Sequence, residues 1–368
     1  MRRFLLSLIV LTGILTIGYT VGAGNYLSAS SVYVHEEIPK SPFKKADTIR
    51  LAMTGDIMMG TTYPDTALPA KGGRMLFNDV KATLRAADLA FGNLEGTLCD
   101  SGVSRKKVSK ISYAFRTPTS MSHLLKDAGY DFLSLANNHS LDFGWIGMKS
   151  TEHVLDSLGI RYAGVKGRKE WTIIEKNGLK IGVCAFGHNH YTVLHTDSAA
   201  VFRILTAVRP KVDILVVSFH GGAEGRTRSH LPYGKEMFYE ENRGNLRDFA
   251  HYCVDLGADV VFGHGPHVVR CMELYRNRLI AYSLGNFCTP KGISIAGVSG
   301  YAPILTLEVN HKGEFLQGRI VPFIQRWGIG PRVDKTGAVI RQIRLLSNED
   351  IPGNPLLIDK NGVLRRKK

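Results

Sequence analysis

Leu133-Ser-Leu-Ala-Asn-Asn-His-Ser-Leu-Asp-Phe-Gly144 is an apolar run that stops abruptly at two amides, a histidine and a carboxylate. Residues 131–136 have the composition of a buried strand, and Asn138, His139 and Asp142 follow it at once. Open α/β sheets place ligands beyond the carboxyl ends of their strands, so this tip predicts a catalytic edge. Helical spacing flanks it on both sides. One helix starts at Pro118, whose missing N–H costs nothing in a first turn, and another runs from Gly144 to Leu158. Strand alternating with helix implies a mainly parallel sheet with right-handed crossovers.

Further strands end in the same manner. Residues 48–53 alternate as a strand should and lead into Thr54-Gly55-Asp56, while Leu89-Ala90-Phe91 leads into Gly92-Asn93-Leu94-Glu95-Gly96. The apolar run 213–219 ends at His220, and 259–262 ends at Gly263-His264-Gly265-Pro266-His267. Between them, Asn177-Gly178 joins two strands in a hairpin, so the sheet system becomes mixed. Residues 198–208 read as a helix, and 236–256 as one long helix ending at Gly257.

Asp56, Glu95, Asn138, His220, His264 and His267 all sit at strand tips, where packing alone would prefer apolar residues. Carboxylate, amide and imidazole together suit one or two divalent ions such as manganese, zinc or iron, since calcium takes oxygen ligands almost exclusively. Glu95 has two oxygens with which to bridge two ions. His139 is placed to give a proton to a leaving group. Asp142 either orients His139 or caps the following helix. Asn93, Glu224 and Arg116 are candidate substrate-binding residues; Asn93 equally holds its turn, and Glu224 equally forms a metal contact or a surface pair. His188 and His190 read as loop residues, and His123, His153 and His251 as structural.

A hydrophobic content of 44% with 21% charged residues excludes a disordered or multispan membrane chain. Net charge is +15, partly from Arg2, Arg3 and the closing Arg365-Arg366-Lys367-Lys368; it reads either as a solvated basic surface or as attraction to an anionic partner, whether polymer, small anionic substrate or membrane surface. No zinc-finger or RNP-like pattern accompanies it, which argues against nucleic acid. Arg2-Arg3 ahead of an apolar stretch from Phe4 predicts export to the periplasm or cell surface. That stretch is near the lower limit of about 17 residues for a spanning helix, so a retained membrane anchor is the alternative to a cleaved signal. Five cysteines, none at metal-ligand spacing, carry no mechanism.

Taken together, Thr54-Gly-Asp-Ile-Met-Met-Gly60, Gly92-Asn-Leu-Glu95, Ser134-Leu-Ala-Asn-Asn-His139, His220-Gly-Gly-Ala-Glu224, Gly263-His-Gly-Pro-His-Val268 and Tyr282-Ser-Leu-Gly-Asn-Phe287 resemble the CapA-type (PgsA-type) capsule-synthesis proteins. The resemblance implies a metallophosphatase-like α-β-β-α sandwich of two mixed sheets flanked by helices, with a metal site at the strand ends. It implies a role in poly-γ-glutamate capsule synthesis, within a membrane-bound synthesis complex. The same motifs resemble those of calcineurin-type metallophosphoesterases, in which Asp56, Glu95, Asn138, His139, His220, His264 and His267 take matching places. Met58 stands where that pattern has its first histidine, and two residues instead of one separate His264 from His267. The expected organisation is an export signal or anchor over 1–30, a linker over 31–46, the CapA-like domain over 47–330, and a basic tail over 331–368.

Overall fold

The computed structural model describes residues 48–106 and 113–367. The expected export segment and linker lie outside them, as do Lys107 and Lys110. Among the described residues the chain first lays down β1 (Thr48–Ile57), α1 (Lys81–Arg85), β2 (Leu89–Leu94), α2 (His123–Ala128), β3 (Phe132–Ser134), α3 (Gly144–Ser157) and β4 (Arg161–Ala163). A second run follows: β5 (Trp171–Lys176), β6 (Leu179–Phe186), α4 (Ser198–Val208), β7 (Ile214–His220), α5 (Leu246–Asp255), β8 (Val260–His264), β9 (Met272–Tyr275) and β10 (Arg278–Ala281). It closes with β11 (Asn286–Cys288), β12 (Ile304–Asn310), β13 (Phe315–Val321), α6 (Ala338–Glu349), β14 (Leu356–Ile358) and β15 (Val363–Arg366).

Nine of these strands form one sheet in the order β14-β15-β13-β12-β1-β2-β3-β4, with β11 beside the end of β1, and six form another in the order β9-β10-β8-β7-β6-β5. Both are mixed: β1, β2, β3 and β4 run parallel, whereas β12 meets β1 antiparallel. In the second sheet β6, β7, β8 and β10 are parallel and β5 returns antiparallel through Asn177-Gly178, both at positive φ as the hairpin requires.

The strands read as nearly continuous apolar runs because both faces are covered. Ile49, Leu51 and Met53 of one sheet share a core with Ile181, Val183, Val216 and Val260 of the other. On the outer face of the first sheet, Leu84, Leu125, Met148 and Leu155 from α1–α3 pack on Ala52, Ala90 and Leu133. On the outer face of the second, Val201, Ile204 and Phe249 from α4 and α5 pack on Val217, Val261 and Ile280. The result is the α-β-β-α sandwich, with the parallel strands of both sheets delivering their carboxyl ends to one edge.

Two sequence expectations are corrected. The long helix over 236–256 is instead a hairpin, Glu236–Phe238 with Glu241–Gly244, followed by α5. Tyr239 and Gly244 take positive φ, which breaks the helix, and the Asn245 side chain caps α5 by accepting from Asp248 N–H. The basic tail is not a tail. Val339, Ile340 and Ile343 of α6, with Leu356, Ile358 and Leu364, fill the inter-sheet core, and β15 pairs with β13. Val339, Ile340, Ile343 and Leu346 recur on the buried face of α6 at helical spacing, a period that goes unnoticed among the short strands and loops around it.

Asp334 tethers this segment. Its carboxylate accepts from Thr336 N–H and from Val339 N–H, at 2.8 and 3.0 Å. Burial pushes that carboxyl up, but these hydrogen bonds win and hold it below its ordinary 3.8. The stability it contributes is therefore present above 3.8 and is lost as pH falls through the lowered value. Asp334→Ala is expected to cost about 1 kcal/mol in a neutral urea titration, and much less once the pH is below that range.

Candidate metal centre

Parallel register brings the tips together. Asp56 of β1 stands beside Asn93 of β2 and Asn286 of β11. His220 of β7 stands beside His264 of β8 in the other sheet. Two glycines let these strands close up. A Cβ at Gly55 would lie 1.9 Å from the Gly285 carbonyl, and one at Gly265, already at φ +113°, 2.6 Å from the Gly221 carbonyl.

Asp56, Glu95 and His267 each offer a ligand atom within 4.8 Å of the others. Glu95 Oε1 lies 3.6 Å from His267 Nε2 and 4.0 Å from His220 Nε2, so it stands between two imidazoles. Asp56 Oδ1 lies 3.4 Å from His264 Nδ1, and Asp56 Oδ2 3.3 Å from His267 Nδ1. His267 reaches in from a strained position at φ +58°, held because Asn286 Oδ1 is 2.9 Å from its Nδ1 and Asn286 Nδ2 donates to its carbonyl.

The polar atoms left over test whether a cation suits this cluster. Asp56 Oδ2, both Glu95 oxygens, Asn138 Oδ1, His220 Nε2 and both His264 nitrogens are buried without a hydrogen-bond partner. Buried polar groups are almost always satisfied, so such a convergence of nitrogen and oxygen donors is the composition of a divalent-ion site. Electrostatics agree. Burial pushes Glu95 well above the carboxylate range, with Asp56 and Glu224 adding to it against His267. Burial opposes the charged form of His267, yet Glu95, Asp56 and Glu224 outweigh it and raise that histidine. Burial would also raise Asp56, but hydrogen bonds and charge from His264 and His267 hold it far down, whereas burial keeps His220 neutral.

Around the cluster, Asn93 Nδ2 donates to Asp56 Oδ1 at 2.8 Å, which makes it an orienting residue. Glu224 accepts from Arg243 at 2.8 Å and its other oxygen lies 3.7 Å from His267. Asp142 orients His139: its Oδ2 is 2.8 Å from His139 Nδ1, while α3 has no side-chain cap. Arg116 donates to Thr62 and to the Gly102 carbonyl and lies over Phe143, so it braces loops. Met58 is buried with its sulfur on Gly60 N–H.

Four participants escaped the sequence. Asn137 donates to Asn93 and accepts from His139 N–H, leaving its neighbour Asn138 free for a ligand. Asn286 positions His267, a role its glycine-bounded turn disguised. Lys106 contacts both His139 and Asp142. His188 lies in a loop as expected, but its side chain is buried beside His220, with its Nδ1 3.2 Å from the His220 carbonyl and its Nε2 3.8 Å from Glu241 without a hydrogen bond.

Residues 50–291 match the family model described as bacterial capsule synthesis protein PGA_cap. The chain is 29% identical over 271 residues to the PGA biosynthesis protein CapA of Bacillus subtilis, covering 70% of this chain and 67% of that protein. It is 27% identical over 288 residues to the capsule biosynthesis protein CapA of Bacillus anthracis, covering 72% and 66%. The chain thus spans about two thirds of the length of these relatives. Among solved structures, a phosphatase from Mycoplasma pneumoniae is 13% identical with a TM-score of 0.49, covering 76% of this chain and 94% of its own. The motif order, the strand-tip cluster and the family match over most of the domain agree: the chain belongs to the bacterial capsule synthesis protein PGA_cap family.

Proposed function

We propose that this protein is an exported, metal-dependent hydrolase of capsule synthesis, acting on an anionic substrate as part of a membrane-bound complex. The unsatisfied donors of Asp56, Glu95, Asn138, His220 and His264 carry the proposal. Those residues and His267 would hold one or two divalent ions, and a bound ion supplies Lewis acidity toward a phosphoryl or carbonyl oxygen. The protein's own groups do the rest. Asp56 is oriented by Asn93, His267 by Asn286, and His139 by Asp142, whose Oδ2 also accepts from Phe115 N–H at 2.7 Å. His139 then has Nε2 free to hold or deliver a proton. The basic balance of the chain favours an anionic partner, and the relatives' names point to poly-γ-glutamate or a similar polymer. Among the described residues no helix is long and apolar enough to cross a membrane.

The test is turnover of a chromogenic phosphodiester by the full chain with manganese, before and after chelation. Manganese-dependent turnover that chelation abolishes supports the reading, and none with any divalent ion at saturation rejects the phosphoesterase form. Met58, packed in the core where a ligand histidine is expected, favours a second reading: a non-catalytic subunit that holds nascent polymer. That reading requires His139→Ala cells to keep making capsule, and loss of capsule with the variant protein folded and present rules it out.

A further inference from the structure

A hairpin away from the metal centre joins Phe323–Arg326 to Gly330–Val333, with Arg326 opposite Gly330. Its base is held firmly. Phe323 and Gln325 are buried, and Gln325 Oε1 accepts from Thr289 N–H at 2.6 Å and from Thr289 Oγ1 at 3.1 Å. Thr289 directly follows β11, so the hairpin is braced against the strand whose Asn286 holds His267. Its tip is left in solvent: Trp327 is 60% exposed and Ile329 46%.

The hairpin lies against the segment that leads into α1. A Cβ at Gly330 would stand 2.9 Å from the Leu76 carbonyl oxygen, and Arg332 donates to the Met75 and Leu76 carbonyls at 2.8 and 3.4 Å. Met75, 49% exposed, and Ile329 are the chain neighbours of that touching pair, so with Trp327 they form one apolar spot. Cations ring it. Arg74 precedes Met75, Lys71 stands exposed in the same turn, Arg326 precedes Trp327, and Lys291 Cε lies 3.8 Å from where a Gly328 Cβ would be. Among the described residues none of these four is paired with a carboxylate; Asp79 is nearby, 3.8 Å from Arg332. Exposed apolar side chains gain nothing from water, and unpaired cations repel one another, so folding alone gives no reason for this combination. Tryptophan amid Lys and Arg is the composition of a membrane–water interface, where the ring sits at headgroup level and the cations meet anionic lipid. A soluble anionic polymer would serve the cations but leave the apolar spot in water.

We propose that this hairpin tip docks the folded domain onto an anionic lipid bilayer, with Trp327, Ile329 and Met75 entering the headgroup region while Lys71, Arg74, Lys291 and Arg326 meet the lipid phosphates. A tether at the N-terminus would hold the domain near a bilayer without orienting it; this contact orients it. Because the hairpin is braced on β11 through Thr289, docking fixes the strand that carries Asn286 relative to the lipid. The inference stands on the surface alone and does not rest on the hydrolase reading.

Trp327 is its own reporter. Its emission is taken for the full chain with vesicles as the difference between the wild type and Trp327→Phe. In mixed phosphatidylcholine–phosphatidylglycerol vesicles with brominated acyl chains that emission is expected to be quenched relative to unbrominated vesicles, and to escape quenching in phosphatidylcholine alone. Arg74→Ser combined with Arg326→Ser is expected to lower the ratio of docked to undocked domain about 30-fold, the worth of two basic residues at an anionic surface, with an unchanged melting temperature. Arg74→Lys combined with Arg326→Lys is expected to keep the quenching. Emission unaffected by bromination overturns the proposal, as does equal quenching in neutral lipid or quenching that survives the two serine substitutions. A blue shift of Trp327 with soluble polyglutamate but not with anionic vesicles also overturns it, and makes the patch a polymer site. Turnover plays no part in these readings, so a failure of the hydrolase reading leaves them standing.

Discussion

Glu95→Gln is expected to lower manganese affinity by at least about 100-fold and to raise the stability of the metal-free protein. Loss of groups that merely orient ligands costs 10- to 100-fold in affinity, and Glu95 would be a ligand itself. Both its oxygens are buried and unpartnered, and burial keeps its carboxyl well above the usual range. The folded protein therefore carries a strained acid that an amide of the same shape relieves, at least in part. Calorimetric titration with manganese measures the first effect, and thermal melting after chelation the second. The opposite signs separate a functional cluster from a structural one. If metal affinity is unchanged, or if the metal-free variant melts markedly earlier, Glu95 belongs to the scaffold and the metal centre is misassigned.

Arg270→Met is expected to destabilise the domain by about 3–5 kcal/mol, the usual cost of stranding one partner of a buried ion pair. Arg270 is fully buried and forks onto Glu236 with two bonds of 2.7 Å, while its Nε donates to the Arg228 carbonyl at 2.9 Å. Glu236 in turn accepts from Ala223 N–H at 2.9 Å, so the pair pins the loop that carries Glu224 from His220 onward. Removing the cation leaves Glu236 buried without its counter-charge. Urea unfolding of the single variant and of Arg270→Met with Glu236→Leu tests the assignment. The double variant is expected to recover much of the loss, because an apolar pair of similar volume needs no compensation. A single variant within about 1 kcal/mol of wild type would show the pair to be solvated.

Much of the architecture was legible because it follows from local chemistry. Apolar runs that stop at polar residues announced β1, β2, β3, β7 and β8, and Asn177-Gly178 announced the hairpin. The six ligand-type residues were visible for the same reason, since packing gives an apolar strand no cause to end on a buried polar tip. What the sequence concealed depends on contacts between distant segments. Lys106 and His188 look like loop residues until the fold packs their surroundings. Asn137 and Asn138 are indistinguishable as letters; only the direction of each side chain separates the one that braces Asn93 from the one left unsatisfied. The closing segment failed for a different reason. Its strands β14 and β15 are only three and four residues long, so no window in them is long enough to show a period.

The placement of β1 bears on how the molecule assembles. Its neighbours are β2, close in sequence, and β12, whose residues 304–310 follow all the strands that carry the other candidate ligands. Asp56 therefore belongs to a strand that remains an open edge until most of the chain is available. Pairings of such long sequence separation close slowly, because the entropy of the intervening loop is lost before the contact rewards it. Asp56, the first candidate ligand in the sequence, should then be among the last to reach its native surroundings, and refolding followed by manganese binding should lag behind refolding followed by helix content.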